Sequence, residues 1–154
     1  MKRILFVILL VAAMLASTGV ASAKTTRIDF SGSEVCDEST LTIAKIIEAG
    51  PNLHLMQITQ TCYDTASSSK LTGTDYLTGG NMHIVGGGKN FILTGTLRME
   101  STEGGVWVGS WVLPANSNTI KVVAHGEGLY AGLQLHWFLS LDGPFSGYIL
   151  NPGN

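Results

Sequence analysis

FILTGTLRMESTEGGVWVGSWVLPANSNTIKVVAHGEGLYAGLQLHWFLSLDGPFSGYIL, residues Phe91 to Leu150, carries all three tryptophans and most of the alternating apolar residues. Phe91, Leu93, Gly95, Leu97 and Met99 fall on one face of an extended chain, with Ile92, Thr94, Thr96, Arg98 and Glu100 on the other. That period of two marks a half-buried strand. Thr102-Glu103-Gly104 then suits a three-residue hairpin loop, whose last position takes a left-handed backbone that glycine tolerates best. Folding there sets Met99 opposite Trp107, Leu97 opposite Gly109, Gly95 opposite Trp111 and Leu93 opposite Leu113. Each tryptophan meets a flexible or small partner. Arg98 opposite Val108 and Thr96 opposite Ser110 make the wetter face. A slip of one residue would bury the charged face, so the register is well specified.

Working outward, the same stretch predicts further strands at Thr119–His125, Ala131–Leu141 and Phe145–Leu150. Upstream, strands are expected at Thr26–Ser33, Leu41–Glu48 and Leu53–Cys62, with Gly50-Pro51-Asn52 turning between the last two. Leu41 to Ala49 also fits a helix. A polar loop is expected over Asp64 to Lys70. Leu71 to Val85 reads as two short strands around Thr78-Gly79-Gly80-Asn81, followed by a flexible Gly86 to Asn90 link. Many short alternating segments with glycine-rich turns point to an all-β fold. The expectation is one antiparallel barrel of about eight strands, with a β-sandwich as the alternative.

The N-terminus has a different composition. Lys2 and Arg3 precede an apolar run from Ile4 to Ala16, and small residues lead to Ala21-Ser22-Ala23. This is the pattern of a cleaved signal peptide over 1–23, leaving residues 24–154 as a single barrel domain. The apolar run is short of the ~20 residues that span a bilayer, so no membrane insertion is expected after cleavage. A secreted or periplasmic protein follows. In that setting Cys36 and Cys62, the only cysteines, are most simply one disulfide, stabilising by about 3 kcal/mol through the unfolded chain.

The net charge of the full chain is −2, without a Lys/Arg cluster, which argues against nucleic-acid binding. Gly86 to Lys89 lacks the glycine and the Ser/Thr of a phosphate-binding P-loop. Gly126-Glu127-Gly128 with Gly132 lacks the helix that a dinucleotide fingerprint requires. Both are turns, and no cofactor is expected. His54, His83, His125 and His136 are too scattered for a ligand set, so no metal is expected either. His125 and His136 lie on consecutive strands and could approach one another. No nucleophile elbow accompanies the Ser, His and Asp residues.

Trp107, Trp111 and Trp137 converge on the interior side of their strands. They either fill the core or, with His125, line a cavity for a small apolar ligand, since an eight-stranded barrel allows both. His136, Glu127 and Tyr130 are the candidates for moving a proton there.

The segment His125-Gly126-Glu127-Gly128-Leu129-Tyr130-Ala131-Gly132-Leu133, closing with Gly147-Tyr148-Ile149-Leu150, resembles the late strands of the allene oxide cyclase and dirigent-like group of small calycin-type barrels. It is also similar to bacterial exported proteins that end in the same way. The resemblance implies a barrel; the group's catalytic residues have no counterparts here, so it implies no activity. Two functions are therefore expected in competition. One is an exported, non-enzymatic protein binding a small apolar molecule or a surface partner. The other is a cofactor-free isomerase or cyclase acting inside the barrel.

Overall fold

The computed structural model describes residues 24–86 and 90–153. The expected signal peptide, and residues 87–89 of the glycine-rich link, lie outside the described residues. Eight strands follow one another: β1 (Thr26–Ala49), β2 (Asn52–Ala66), β3 (Gly73–Val85), β4 (Asn90–Ser101), β5 (Val106–Leu113), β6 (Thr119–Glu127), β7 (Gln134–Ser140) and β8 (Pro144–Asn151). Each pairs antiparallel with the next, and β8 pairs back with β1, closing a barrel. Inward positions are apolar along most of β4 to β8, while outward ones are mixed, polar residues alternating with exposed Ile92, Val123 and Phe138.

The β4–β5 hairpin has the register its alternation dictates: Met99 opposes Trp107, Leu97 Gly109, Gly95 Trp111 and Leu93 Leu113. Gly104 closes the turn at φ +88°. Gly95 leaves the space its partner needs, because a Cβ there would come within 2.5 Å of the Trp111 ring.

Three expectations are corrected. The strands expected at Thr26–Ser33 and Leu41–Glu48 are one strand, β1, 24 residues long. The polar residues between them form an irregularity from Asp37 to Thr42. Asp37 Oδ1 accepts from the Ser39 N–H at 2.9 Å, and Thr40 Oγ1 accepts from the Thr61 N–H at 2.9 Å. Side chains thus replace ladder bonds where the sequence reads as a loop. In the same way Leu71 to Val85 holds one strand, β3, whose register shifts between Thr78 and Asn81. Gly79 takes φ +61° there, and Asn81 Nδ2 donates to its carbonyl at 2.8 Å. Finally, the supposed loop from Asp64 begins inside β2, which runs on to Ala66.

β1 is paired with β8 only as far as Ser33. Beyond that point it continues beside β2, which is itself paired with β3, and β3 with β4. Strands β1 to β4 thus run on as an open four-stranded ribbon past the closed ring, with Leu41, Ile43, Ile46 and Ile47 exposed. Cys36 and Cys62 are disulfide-bonded at the base of this ribbon, directly opposite one another.

The interior divides into two halves. At the end where β4 turns into β5, Trp107, Met99, Leu71, Leu135 and Ile149 are all fully buried. Tyr130 packs on Trp107 with ring centroids 5.0 Å apart. The Trp107 Nε1–H donates to the Lys70 carbonyl at 2.9 Å, and the Tyr130 hydroxyl donates to Ser101 Oγ at 2.7 Å. This half is filled. The other half, towards the ribbon, is hollow.

Candidate functional site

The hollow half holds a cavity of about 450 Å³. Ligand pockets typically span roughly 300–1,000 Å³. Its walls are mainly apolar: Leu77, Leu93, Leu97, Trp111, Val122 and Trp137, with Leu139 and Ile120 towards the β7–β8 turn. Ser140 to Gly143, of that turn, lie along its edge, where the Glu34 N–H donates to the Gly143 carbonyl at 2.9 Å. The tryptophans therefore serve two purposes. Trp107 fills the closed half, while Trp111 and Trp137 wall the cavity.

Three carboxyl groups break this apolar surface. Glu34 and Asp75 are on the wall, and Asp64 stands next to both; one oxygen from each of the three lies within 4.8 Å of the others. They come from adjacent strands. Glu34 directly opposes Asp64, and Asp75 opposes Cys62, two residues before Asp64. Strand alternation then turns all three inward beside the disulfide. Asp64 is 3% and Asp75 1% exposed, and Asp64 Oδ1, Asp64 Oδ2 and Asp75 Oδ1 have no hydrogen-bond partner among the described residues. The Trp137 Nε1–H, on the same cavity wall, also lacks one.

An unpartnered buried carboxylate is costly, so such a group gains its proton instead. Burial pushes Glu34 up to about 7. Burial, and then the charges of Glu34 and Asp75, push Asp64 up to about 9. Burial, and then the charge of Glu34, push Asp75 up to about 8. Near neutral pH the cluster is largely protonated: it can donate hydrogen bonds, give up a proton, or receive a cation that displaces its protons.

The residues picked out in the sequence for moving a proton, and His125, lie elsewhere. His125 and Glu127 are exposed on the outer face, 3.8 Å apart, and Glu127 also reaches Arg98 at 3.7 Å. His136 stacks on Tyr148 with centroids 4.8 Å apart; it does not line the cavity. His125 pairs with Gln134, and His136 with Val123, so these two histidines are not opposite one another. The histidines that do meet are His54 and His83, stacked at 5.1 Å on the ribbon. Tyr130 is buried in the filled half, where burial pushes its phenol above the ordinary value. Of the named candidates, the structure brings Trp111 and Trp137 together at the cavity.

Glu34 and Asp64 lie in or beside stretches that read as loop, and Asp75 lies in a short expected strand whose pairing the sequence leaves open. One signal could have found the first two. If Cys36 and Cys62 are a directly opposed cross-strand pair, alternation places Glu34 and Asp64, two residues away on each strand, opposite one another on the same face.

Comparisons with protein-family models, curated proteins and solved structures return no match. Among the described residues no helix is long and apolar enough to cross a membrane. The disulfide fits an extracellular or periplasmic protein.

Proposed function

We propose that this chain is an exported binding protein that holds a small, mainly apolar molecule in the hollow half of its barrel. The observation that carries this reading is the cavity itself, about 450 Å³ walled by leucine, valine, isoleucine and two tryptophans beside a filled half. A barrel that needed only a core would repeat the packing of its Trp107 end. Export rests on the basic head, apolar run and Ala21-Ser22-Ala23 of the N-terminal segment, and on the disulfide. Native mass spectrometry of protein recovered from the compartment it is exported to tests both points. The expected species begins at Lys24 and carries a small molecule in stoichiometric amount. A ligand-free species whose tryptophan fluorescence also fails to respond to titration with both decanol and decylamine would overturn the binding reading.

A second reading, a cofactor-free isomerase or cyclase, draws support from the same carboxyl groups. An acid held protonated near neutral pH in an apolar cavity is suited to give a proton to a bound substrate. In that case Glu34 and Asp75, the two on the wall, would be the catalytic residues. Chemical change of the co-purified molecule on incubation, absent in Asp75→Asn, distinguishes this reading from simple binding.

A further inference from the structure

We propose that the cavity selects an organic cation: a small apolar molecule bearing a protonated amine, which the carboxyl groups of Glu34, Asp64 and Asp75 receive. The inference rests on the reading of the cavity as a ligand site and names the ligand's chemistry.

Three observations lead to it. First, three acidic side chains share one spot, and among the described residues no basic side chain lines the cavity. One donor would satisfy one carboxyl; three together call for a positive charge with several N–H bonds. A primary ammonium has three donors. Second, the unpartnered atoms are buried oxygens of Asp64 and Asp75, and Asp75 is itself part of the wall. Charge-assisted hydrogen bonds to an ammonium would supply what these acceptors lack. Third, the rest of the wall is apolar and aromatic, with Trp111 and Trp137 present. A bare metal ion would use the carboxyl groups and leave that surface uncovered. An amine on an apolar body uses both, and indole faces also favour a cation. The unpartnered Trp137 Nε1–H, a donor, marks a second anchor for an acceptor atom such as a hydroxyl or carbonyl oxygen on the ligand body.

The test compares decylamine with decanol, matched in chain length, by tryptophan fluorescence and calorimetry on the mature protein at neutral pH. Decylamine is expected to bind about tenfold or more tightly than decanol, as charge-assisted hydrogen bonds require. Asp75→Asn should reduce that preference to less than about threefold. Glu34→Gln, at the less buried wall position, should also reduce it, and covers the case in which Asp75→Asn fails to fold. Equal binding of the two compounds would overturn the cation assignment while leaving the cavity reading intact. Binding of neither would overturn both. A rise in melting temperature with Mn²⁺ or Ca²⁺, lost in Asp75→Asn and without an amine preference, would assign the carboxyl groups to a metal and overturn the proposal.

Discussion

The two halves of this barrel are built from the same eight strands and differ in what those strands point inward. In the filled half, every large polar atom described has a partner: the Trp107 indole reaches the Lys70 carbonyl, and the Tyr130 hydroxyl reaches Ser101. In the hollow half, two buried aspartates and the Trp137 indole have none. The filled end lies within the closed ring, while the hollow end borders the point at Ser33 where β1 leaves β8, so the contrast lies both in side chains and in how completely the sheet closes. Buried groups without partners cost stability. Their concentration around one cavity separates a part of the molecule shaped for folding from a part shaped for a ligand.

Truncation on each side should break the comparison most visibly. Trp107→Ala removes a fully buried ring and orphans a carbonyl, and is expected to cost about 3–5 kcal/mol in urea unfolding. Trp111→Ala opens space next to a cavity that already exists, and should cost at least about 1 kcal/mol less while altering ligand binding more. Equal costs would mean that the halves are energetically alike.

The next effect is pH dependence. Glu34, Asp64 and Asp75 have folded-state pKa values raised to about 7, 9 and 8, above the ordinary carboxylate range. The folded protein therefore binds more protons than the unfolded chain. Stability is fully present below about pH 4 as far as these groups are concerned, and is lost as pH rises through 7 to 9. A fall in stability is expected between pH 5 and pH 9, read from urea midpoints with unchanged slope. Asp64→Asn should flatten this dependence; a profile that stays steep would place its origin outside the hollow half.

Gly95→Ala sharpens the comparison at the cavity wall. The added methyl meets the Trp111 ring, so a cost of about 1–3 kcal/mol is expected in thermal or urea unfolding, with a shift in tryptophan emission. The smallest effect belongs to the outer face. Arg98→Ala removes half-exposed ion pairs with Glu100 and Glu127 and should change stability by less than about 1 kcal/mol.

Architecture was legible in the sequence to the extent that side-chain alternation was uninterrupted. From Phe91 to Leu150 the period of two is clean, and both the hairpin register and the strand order follow from it. Between Ser33 and Val85 it is interrupted by polar residues at Glu38-Ser39-Thr40 and by Gly79-Gly80, which sit in irregular strands as comfortably as in loops. The carboxyl cluster fell within that blurred region. Asp64 and Asp75 look like surface residues because acidic side chains usually are; what puts them inside is pairing across β1, β2 and β3, a non-local fact. The histidines and Glu127 stood out for their chemistry, yet strand parity turns His125 and Glu127 to the outside. The disulfide was the one feature linking the first two of these stretches, and its cross-strand position carries the parity of Glu34 and Asp64; that of Asp75 needs the β2–β3 register as well.

The long first strand has a further consequence. Barrel closure removes strand edges, but here it stops at Ser33, and β1 runs on to Ala49 with only β2 beside it. Its other side is a row of backbone donors and acceptors flanked by Leu41, Ile43, Ile46 and Ile47, the kind of edge on which further strands can be added. Glu38, Lys45 and Glu48, together with the kink between Asp37 and Thr42, are the features of the kind that keep such edges solitary. The sixteen residues from Glu34 to Ala49, unpaired with β8, are thus the part of the sheet where self-association has to be held off.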